Sequence, residues 1–385
     1  MTPLDEFHVK HGRLLDVLDD AGAPGLLLSS AGALSWLLGG ARVHISLAGP
    51  PVVQAVVHRE GVELAVFSNE AERLLTEELA DLTGSELLHV HPLRWDADID
   101  DVGTWLPADL ASSADGLADE ASAAVALRAA RASLVEPEVD RYRQLCREAA
   151  EVLTEVLGHV QPNTSEQQLA TALGSGLLAR GADPVVLLAQ GESRASHRHP
   201  LPTDAPLGRR AMAVVCARRH GLIANVTRWV RFGEPSAAEL DREAAILQVE
   251  ADTFDALAPG RPLQEVLEVI QQSYPRHGFT ADEWTLHHQG GAAGYQGRDP
   301  RVFPGVRDQV HQDQPFAFNP TGFDALPGTD LGTGPGAGAG FKVEDTVLLR
   351  GTGENGIGAV EALSADPHWP TTEVRGRQRP TPLPR

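Results

Sequence analysis

The sequence predicts an α+β protein built from two compact units, and three observations carry that prediction. A chain of 385 residues exceeds what one ordinary core supports. Its second half holds amphipathic helix patterns, each with an acidic or capping start and a Gly or Pro stop, and short apolar runs of strand composition lie between them. Apolar residues make up 42% and charged residues 22%, a balance that supplies real cores and excludes a disordered or fibrous chain.

The first helix is read over residues 5 to 22, "DEFHVKHGRLLDVLDDAG", with apolar positions at helical spacing and a stop at Gly22. Short apolar runs follow, "GLLLSS", "PPVVQAVVH" and "GVELAVFS", the last two separated by the turn-like "REG". A further helix begins at "SNEAERLL", where Asn69 and Glu72 are spaced as a capping box. Mixed strands and helices make residues 1–125 an α/β unit; from Trp105 to about Ser122 the composition turns to Ala, Ser, Asp and Gly, which marks a connection and places the boundary near residue 125.

Residues 126–385 open on a long helix in which Val139, Tyr142, Leu145, Ala149, Val152, Val156 and Leu157 share one face, with Glu136 and Pro137 in its first turn. Three more helices are read at "TSEQQLATALGSGLLARG", "SAAELDREAAILQVEADTFDALAPG" and "LQEVLEVIQQSYPRHG". Strands are read in "RAMAVVCARRHGLIANVTRWVRFG", "QPFAFNP" and "KVEDTVLL", which gives an α+β layer.

Charge and cysteine content exclude several classes of function. Lys and Arg number 32 against 53 Asp and Glu, for a net charge of −21. No basic cluster interleaved with aromatics offers a path for phosphates, so nucleic acid is not an expected partner. Cys146 and Cys216 are too few for a disulfide framework, and the opening "MTPLDEFHVKHG" has neither the basic nor the apolar region of a signal peptide; both point to a reducing cytoplasm. No apolar run approaches the ~18 residues of a membrane span.

Four segments resemble, in order, those of the creatinase, aminopeptidase P, prolidase and methionine aminopeptidase superfamily. "HPLPTD" at 199–204 is similar to its H-x-x-P-[ST]-D segment, "GLIANVTRWVRFG" to its G-Y-x-S-D-x-T-R-x-x-x-x-G hairpin, "HHQGG" to its G-H-G-x-G, and "GFKVEDTVLL" to its G-x-R-x-E-D-T-V-L-V strand. The resemblance covers about residues 127 to 362. It implies the pita-bread fold for the catalytic domain, a smaller creatinase-type α/β domain before it, and a homodimer.

Relatives that use metal hold two ions on two Asp, one His and two Glu. Carried over, the first Asp falls on Val214 or Cys216, two positions on one strand face, and the second on Asn225. The His is His288, the first Glu falls on Asn319, and the second is retained as Glu344. One carboxylate in place of four is a poor donor set for two divalent cations, so no cofactor is expected. A single zinc on Cys216, His288 and Glu344 is the remaining metal option, against which Cys216 reads as a small buried residue of the apolar "MAVVC".

The resemblance to metal-free creatinase-like members implies histidine acid/base chemistry, for which an imidazole titrating near ~6.5 is suited. His199 is expected to take a proton from water or substrate, His288 and Glu344 to bind and polarise the reacting end, and Tyr295 to donate to a developing oxyanion. His197, Asn225, Asn319 and Arg228 are expected substrate contacts; Asn225 and Asn319 each both donate and accept hydrogen bonds, and Arg228 suits a structural salt bridge equally. His287, next to His288, is expected to point away. Arg42 resembles a first-domain arginine that creatinase presents across its dimer. The glycine-rich stretch 327–341 reads as a flap over the pocket.

The expected activity is hydrolysis of a C–N, amide-type bond in a small polar substrate, with lyase or cyclase chemistry open. The alternatives are a metal-dependent Xaa-Pro-type aminopeptidase or dipeptidase, and a ligand-binding relative without catalysis.

Overall fold

The computed structural model describes residues 1–323, 340–353 and 358–385; nearly all of the stretch read as a flap lies outside the described residues. The chain divides into two units, Met1–Val139 with His220–Leu222, and Asp140–Arg219 with Ile223–Arg385.

In the first unit, helix α1 (Pro3–Ala21) starts on a Thr2/Asp5 capping box and ends at Gly22, whose φ of 61° is the left-handed stop that glycine adopts without strain. The sheet contains β1 (Gly25–Leu28), β2 (Val53–His58), β3 (Gly61–Phe67), β4 (Leu88–Leu93) and β5 (Ala118–Asp119) in the order β4-β3-β2-β1-β5. β2 pairs antiparallel with β1 and β3, whereas β4 and β5 pair parallel, the mixed sheet of an α/β unit. Helix α2 (Ala31–Leu37) buries Trp36 and Leu37. Helix α3 (Ser68–Arg73) has no side-chain cap, and Asn69 donates to Glu70 instead. The expected Asn69/Glu72 box does not form because β3 runs directly into the helix, so that Asn69 already lies inside the first turn.

After the short α4 (Ala108–Ala111), helix α5 (Ala124–Ala132) is tied to α1: the Arg13 guanidinium donates to the carbonyls of Ala130 (3.2 Å) and Ser133 (2.7 Å). The buried Lys10 ammonium binds Glu6 (2.6 Å) and Glu138 (2.8 Å). These bonds hold residues up to Val139 in the first unit, later than the break expected near residue 125.

Four long helices follow, α6 (Glu136–Leu157), whose first turn still belongs to the first unit, and α7 (Glu166–Ala179), α8 (Ala237–Asp255) and α9 (Leu263–Arg276) of the second. Ser165 with Gln168, and Ser236 with Glu239, form the capping boxes that start α7 and α8. One four-stranded sheet contains β6 (Asp183–Gln190), β7 (Arg210–Arg219), β8 (Leu222–Arg231) and, later in the chain, Leu383–Pro384 beside β8. The second contains β9 (Gly290–Ala292) and β10 (Gln314–Phe318), followed after β11 (Thr321–Phe323) and β12 (Gly340–Lys342) by β13 (Asp345–Thr352) and β14 (Gly358–Ala362), in the order β14-β13-β10-β9. Bridges Ile223–Gly294 and Thr227–Glu344 join the two sheets along β8. Phe254, Leu257 and Ile270 of the helical layer bury against Phe316, Phe318 and Val347 of the strands. Among the described residues no helix is long and apolar enough to cross a membrane.

Behind the seam between the sheets lies a buried ion network. Arg228 binds Asp345 Oδ1 at 2.8 Å, and the Arg379 guanidinium bridges Asp345 Oδ2 (2.7 Å) and both oxygens of Glu250 (2.6 and 2.7 Å). Removing one member leaves a desolvated charge without compensation. Arg379→Met is therefore expected to cost about 3–5 kcal/mol in urea unfolding, whereas Arg261→Met, at an exposed pair with Glu265, changes stability by less than about 1 kcal/mol; similar losses for both would show the network contributes nothing.

Candidate functional site

The inner face of the second unit encloses a cavity of about 600 Å³, joined at His199, His288 and Arg301 to a cleft of about 760 Å³. Side chains on a strand alternate, so β7 turns both Val214 and Cys216 toward the cavity, as their shared face requires. Asn225 faces them from β8; it accepts from the Cys216 thiol (3.2 Å) and donates to the Ile223 carbonyl (3.0 Å). Burial pushes the Cys216 thiol up to about 12, so this sulfur is a neutral donor at physiological pH and not a thiolate ligand.

Glu344 joins β12 to β13, and its carbonyl accepts from the Thr227 N–H at 3.0 Å, which seats the side chain beneath β8. Both carboxylate oxygens are engaged: Oε1 accepts from Arg298, and Oε2 accepts from the Thr227 hydroxyl (2.7 Å) with the Lys342 ammonium at 3.4 Å. Burial opposes ionisation, but Lys342, Arg298 and Thr227 outweigh it and hold the carboxyl at about 2. Asn319, just past β10, is buried on the cavity wall with no partner for Oδ1.

Opposite these groups stand three histidines. His287 Nδ1 lies 2.6 Å from the His288 carbonyl, which only accepts, so Nδ1 carries the proton and donates. Burial, together with Lys342 and the two neighbouring imidazoles, drives the His287 pKa far below the ordinary histidine value, so the ring is neutral and its Nε2 is an acceptor. His199 Nε2, 3.1 Å away, is therefore the donor, and His199 Nδ1 is left as the basic nitrogen. His288 stacks on His287 at 4.5 Å between ring centroids; burial and Arg298 lower it to about 3, and its Nδ1 has no partner. Gly290, with φ 88°, lets this segment approach β10, where a Cβ would stand 2.2 Å from the Ala317 carbonyl oxygen.

Several expected site residues are placed otherwise. His287 does not point away. Alternation applies only within a continuous strand, and β9 begins at Gly290, so both imidazoles reach the His199 side. Tyr295 is buried and does not line the cavity, while its neighbour Gln296 does. His197 is exposed, with Nδ1 3.2 Å from the Arg194 carbonyl, and lines neither cavity. Arg228 holds Asp345 and the Ser364 carbonyl in the buried network and does not line the cavity. Arg42 lies exposed in the first unit, bonded to Glu78. The residues that sequence reasoning missed are His287, Arg298, Arg301 and Lys342. Lys342 had a signal, standing where the strand motif carries Arg; Arg298 and Arg301 lie in an irregular segment without one.

The metal positions of the resemblance do not fit a dinuclear centre. Val214, Cys216, Asn225 and Asn319 offer no anionic oxygen, and the single carboxylate already neutralises two side-chain cations. Cys216, His288 and Glu344 do not assemble as a ligand set either. Among the described residues, the one group of three His, Cys, Asp or Glu side chains close enough to share an ion is His199, His287 and His288, whose ligand atoms lie within 4.8 Å of one another.

Two crossing sheets backed by paired helices, with the site on their inner face, define a pita-bread α+β domain, here preceded by a smaller α/β unit. Residues 140–351, more than half of the chain, match the model of metallopeptidase family M24, and the chain belongs to that family. No curated protein sequence matches it. Solved structures share its fold at low identity. The dipeptidase PepE from Mycobacterium ulcerans aligns with a TM-score of 0.73 and 16% identity over 99% of both chains. The prolidase from Pyrococcus horikoshii aligns at 0.71 and 16% over 92% of this chain and 98% of its own. The N-terminal domain of FACT complex subunit SPT16 from Cicer arietinum aligns at 0.70 and 11% over 95% and 97%.

The histidine pKa values make the domain acid-sensitive. An unfolded histidine binds its proton near ~6.5, whereas folded His288 does so near 3 and His287 lower still. The unfolded state therefore takes up more protons between these values, and stability is lost as pH falls from ~6.5 toward 3. Glu344, depressed to about 2, adds a loss of the same sign below ~4.3. Melting temperature is expected to drop from pH 7 to pH 4, and more shallowly in the His287→Gln/His288→Gln double variant; equal slopes would mean these rings are not buried neutral.

Proposed function

We propose that this M24 chain is a metal-independent, creatinase-like hydrolase that cleaves a C–N, amide-type bond in a small polar substrate by histidine acid/base chemistry. The observation that carries the reading is the state of Glu344. It is the one carboxylate at the five ligand positions, and Arg298, Lys342 and Thr227 already saturate it. Two side-chain cations stand beside the site where relatives with metal keep their ions.

In this reading the water oxygen attacks the carbonyl carbon while its proton passes to His199 Nδ1. His287 Nε2 accepts the His199 Nε2–H, fixing the tautomer and orienting the ring, and so acts as a positioning residue. As the C–N bond breaks, the proton moves from His199 to the leaving nitrogen. His288, whose Nδ1 is unengaged, and the Asn225 and Asn319 amides line the space for the substrate's polar atoms. Burial lowers the His199 pKa, with Lys342 adding to it, so the base is unprotonated at neutral pH.

A second reading has one specific observation behind it. The three neutral imidazoles can hold a single borderline metal ion, and the family and its dipeptidase-like fold neighbours fit a metal-dependent Xaa-Pro dipeptidase. The two readings separate on protein purified without added ions, stripped with EDTA and assayed on acyl-amino acids, dipeptides and guanidino compounds. Turnover is expected to survive chelation and to fall roughly 10²–10⁴-fold in His199→Ala. In His287→Gln the pH profile is expected to move while substrate KM holds. For wild-type protein, kcat/KM is expected to rise to a plateau with a midpoint below ~6.5. Activity that returns only with stoichiometric zinc, manganese or iron would establish the metal reading instead.

A further inference from the structure

The cavity's charge is the reverse of the chain's. Its lining carries Arg298, Arg301 and Lys342 against the single carboxylate Glu344, while His199 and His288 on its wall, and His287 in the adjoining cleft, are neutral. The whole chain carries −21. A local excess of two positive charges inside a strongly acidic protein repels a divalent cation and favours an anion, and the low dielectric of a walled pocket strengthens both effects.

The hydrogen-bond inventory points the same way. Arg298 gives Nη2 to Glu344, but its buried Nε–H has no acceptor. Arg301 sits at the junction of the two cavities, held there by its backbone bridge to Gly291, and among the described residues its guanidinium has no hydrogen bond or ion pair. Lys342 is buried, and of its three donors the structure accounts for one, toward Glu344 at 3.4 Å. The buried donors of Arg298 and Lys342 are costly to leave without acceptors, Arg301 presents an exposed guanidinium beside them, and a bound oxyanion satisfies several of these donors at once.

We propose that this pocket binds an oxyanion of its substrate, a carboxylate or phosphate held by Arg301, Arg298 and Lys342 in the space that relatives with metal use for their ions, so that the substrate class is a small anionic amide. This rests on the reading of the site as a metal-free catalytic pocket, and it deepens that reading by naming what the substrate must carry. The anion lies next to His199 and His288, which brings an amide one or two bonds from the charged group within reach of the base.

The test uses the full chain in EDTA with malonate, inorganic phosphate and the neutral malonamide as probes, read by calorimetry and thermal shift. Malonate or phosphate is expected to bind and to raise the melting temperature, with affinity falling as ionic strength rises; the tighter of the two identifies the oxyanion as carboxylate or phosphate. Arg301→Gln, an exposed change that leaves the core intact, is expected to weaken binding about ten-fold, as loss of one charge-assisted bond requires. Arg261→Gln, outside the pocket, is expected to leave it unchanged. Anions that bind no better than malonamide, or binding indifferent to Arg301→Gln, overturn the proposal. Set beside the turnover assays above, anion binding by a protein inactive without metal would sink the hydrolase reading and leave the anion site standing, and metal-free turnover by a protein that binds no anion would do the reverse.

Discussion

The site depends on the clamp around Glu344. Its carbonyl stitches β13's approach to β8, its carboxylate gathers Thr227, Arg298 and Lys342, and its ionisation persists in a buried setting because these three partners supply the compensation that water cannot. A carboxylate so placed is no longer a free ligand. The same clamp brings two cations into the cavity and thereby sets the sign of its field. Ligand preference and the cost of admitting a metal follow from that sign, and the cations add to the burial that keeps the histidines neutral.

Behind the clamp, Asp345 plays a parallel structural part, taken up by Arg228, Arg379 and the Ser364 hydroxyl. Glu344, bridged to Thr227 just before β13, serves the cavity, and Asp345, the first residue of β13, serves the buried network, both from one short segment.

The histidines are neutral rings, and one backbone carbonyl determines the tautomers of two of them, His287 and His199. The His288 carbonyl takes the His287 Nδ1 proton, His287 Nε2 takes the His199 proton, and the basic nitrogen is left on the exposed ring. Desolvation and nearby cations push all three pKa values down, which keeps the rings neutral and able to accept hydrogen bonds rather than to stand charged.

Much of this was legible in the sequence. Helical periodicity and capping residues located the helices of the second unit, with Ser165/Gln168 and Ser236/Glu239 as starts, because these signals are local. The four segments in order implied the fold and put His199, Asn225, His288, Asn319 and Glu344 at one site, and all five line the cavity. Local patterns failed where neighbours in space decide. Asn69 lost its capping role to the strand that precedes it. His287 escaped the alternation rule because no strand contains it. Arg228 took a structural partner, and Tyr295 was buried away from the cavity lining. By itself the sequence determined which ligand positions had lost their charge, since residue identity is written in the chain. Only the tertiary structure decided what completed the replacement: Lys342 stands 2 residues from Glu344, in the strand motif itself, but Arg298 lies 46 residues away, and its attraction to that carboxylate depends on distance through space, which no spacing along the chain records.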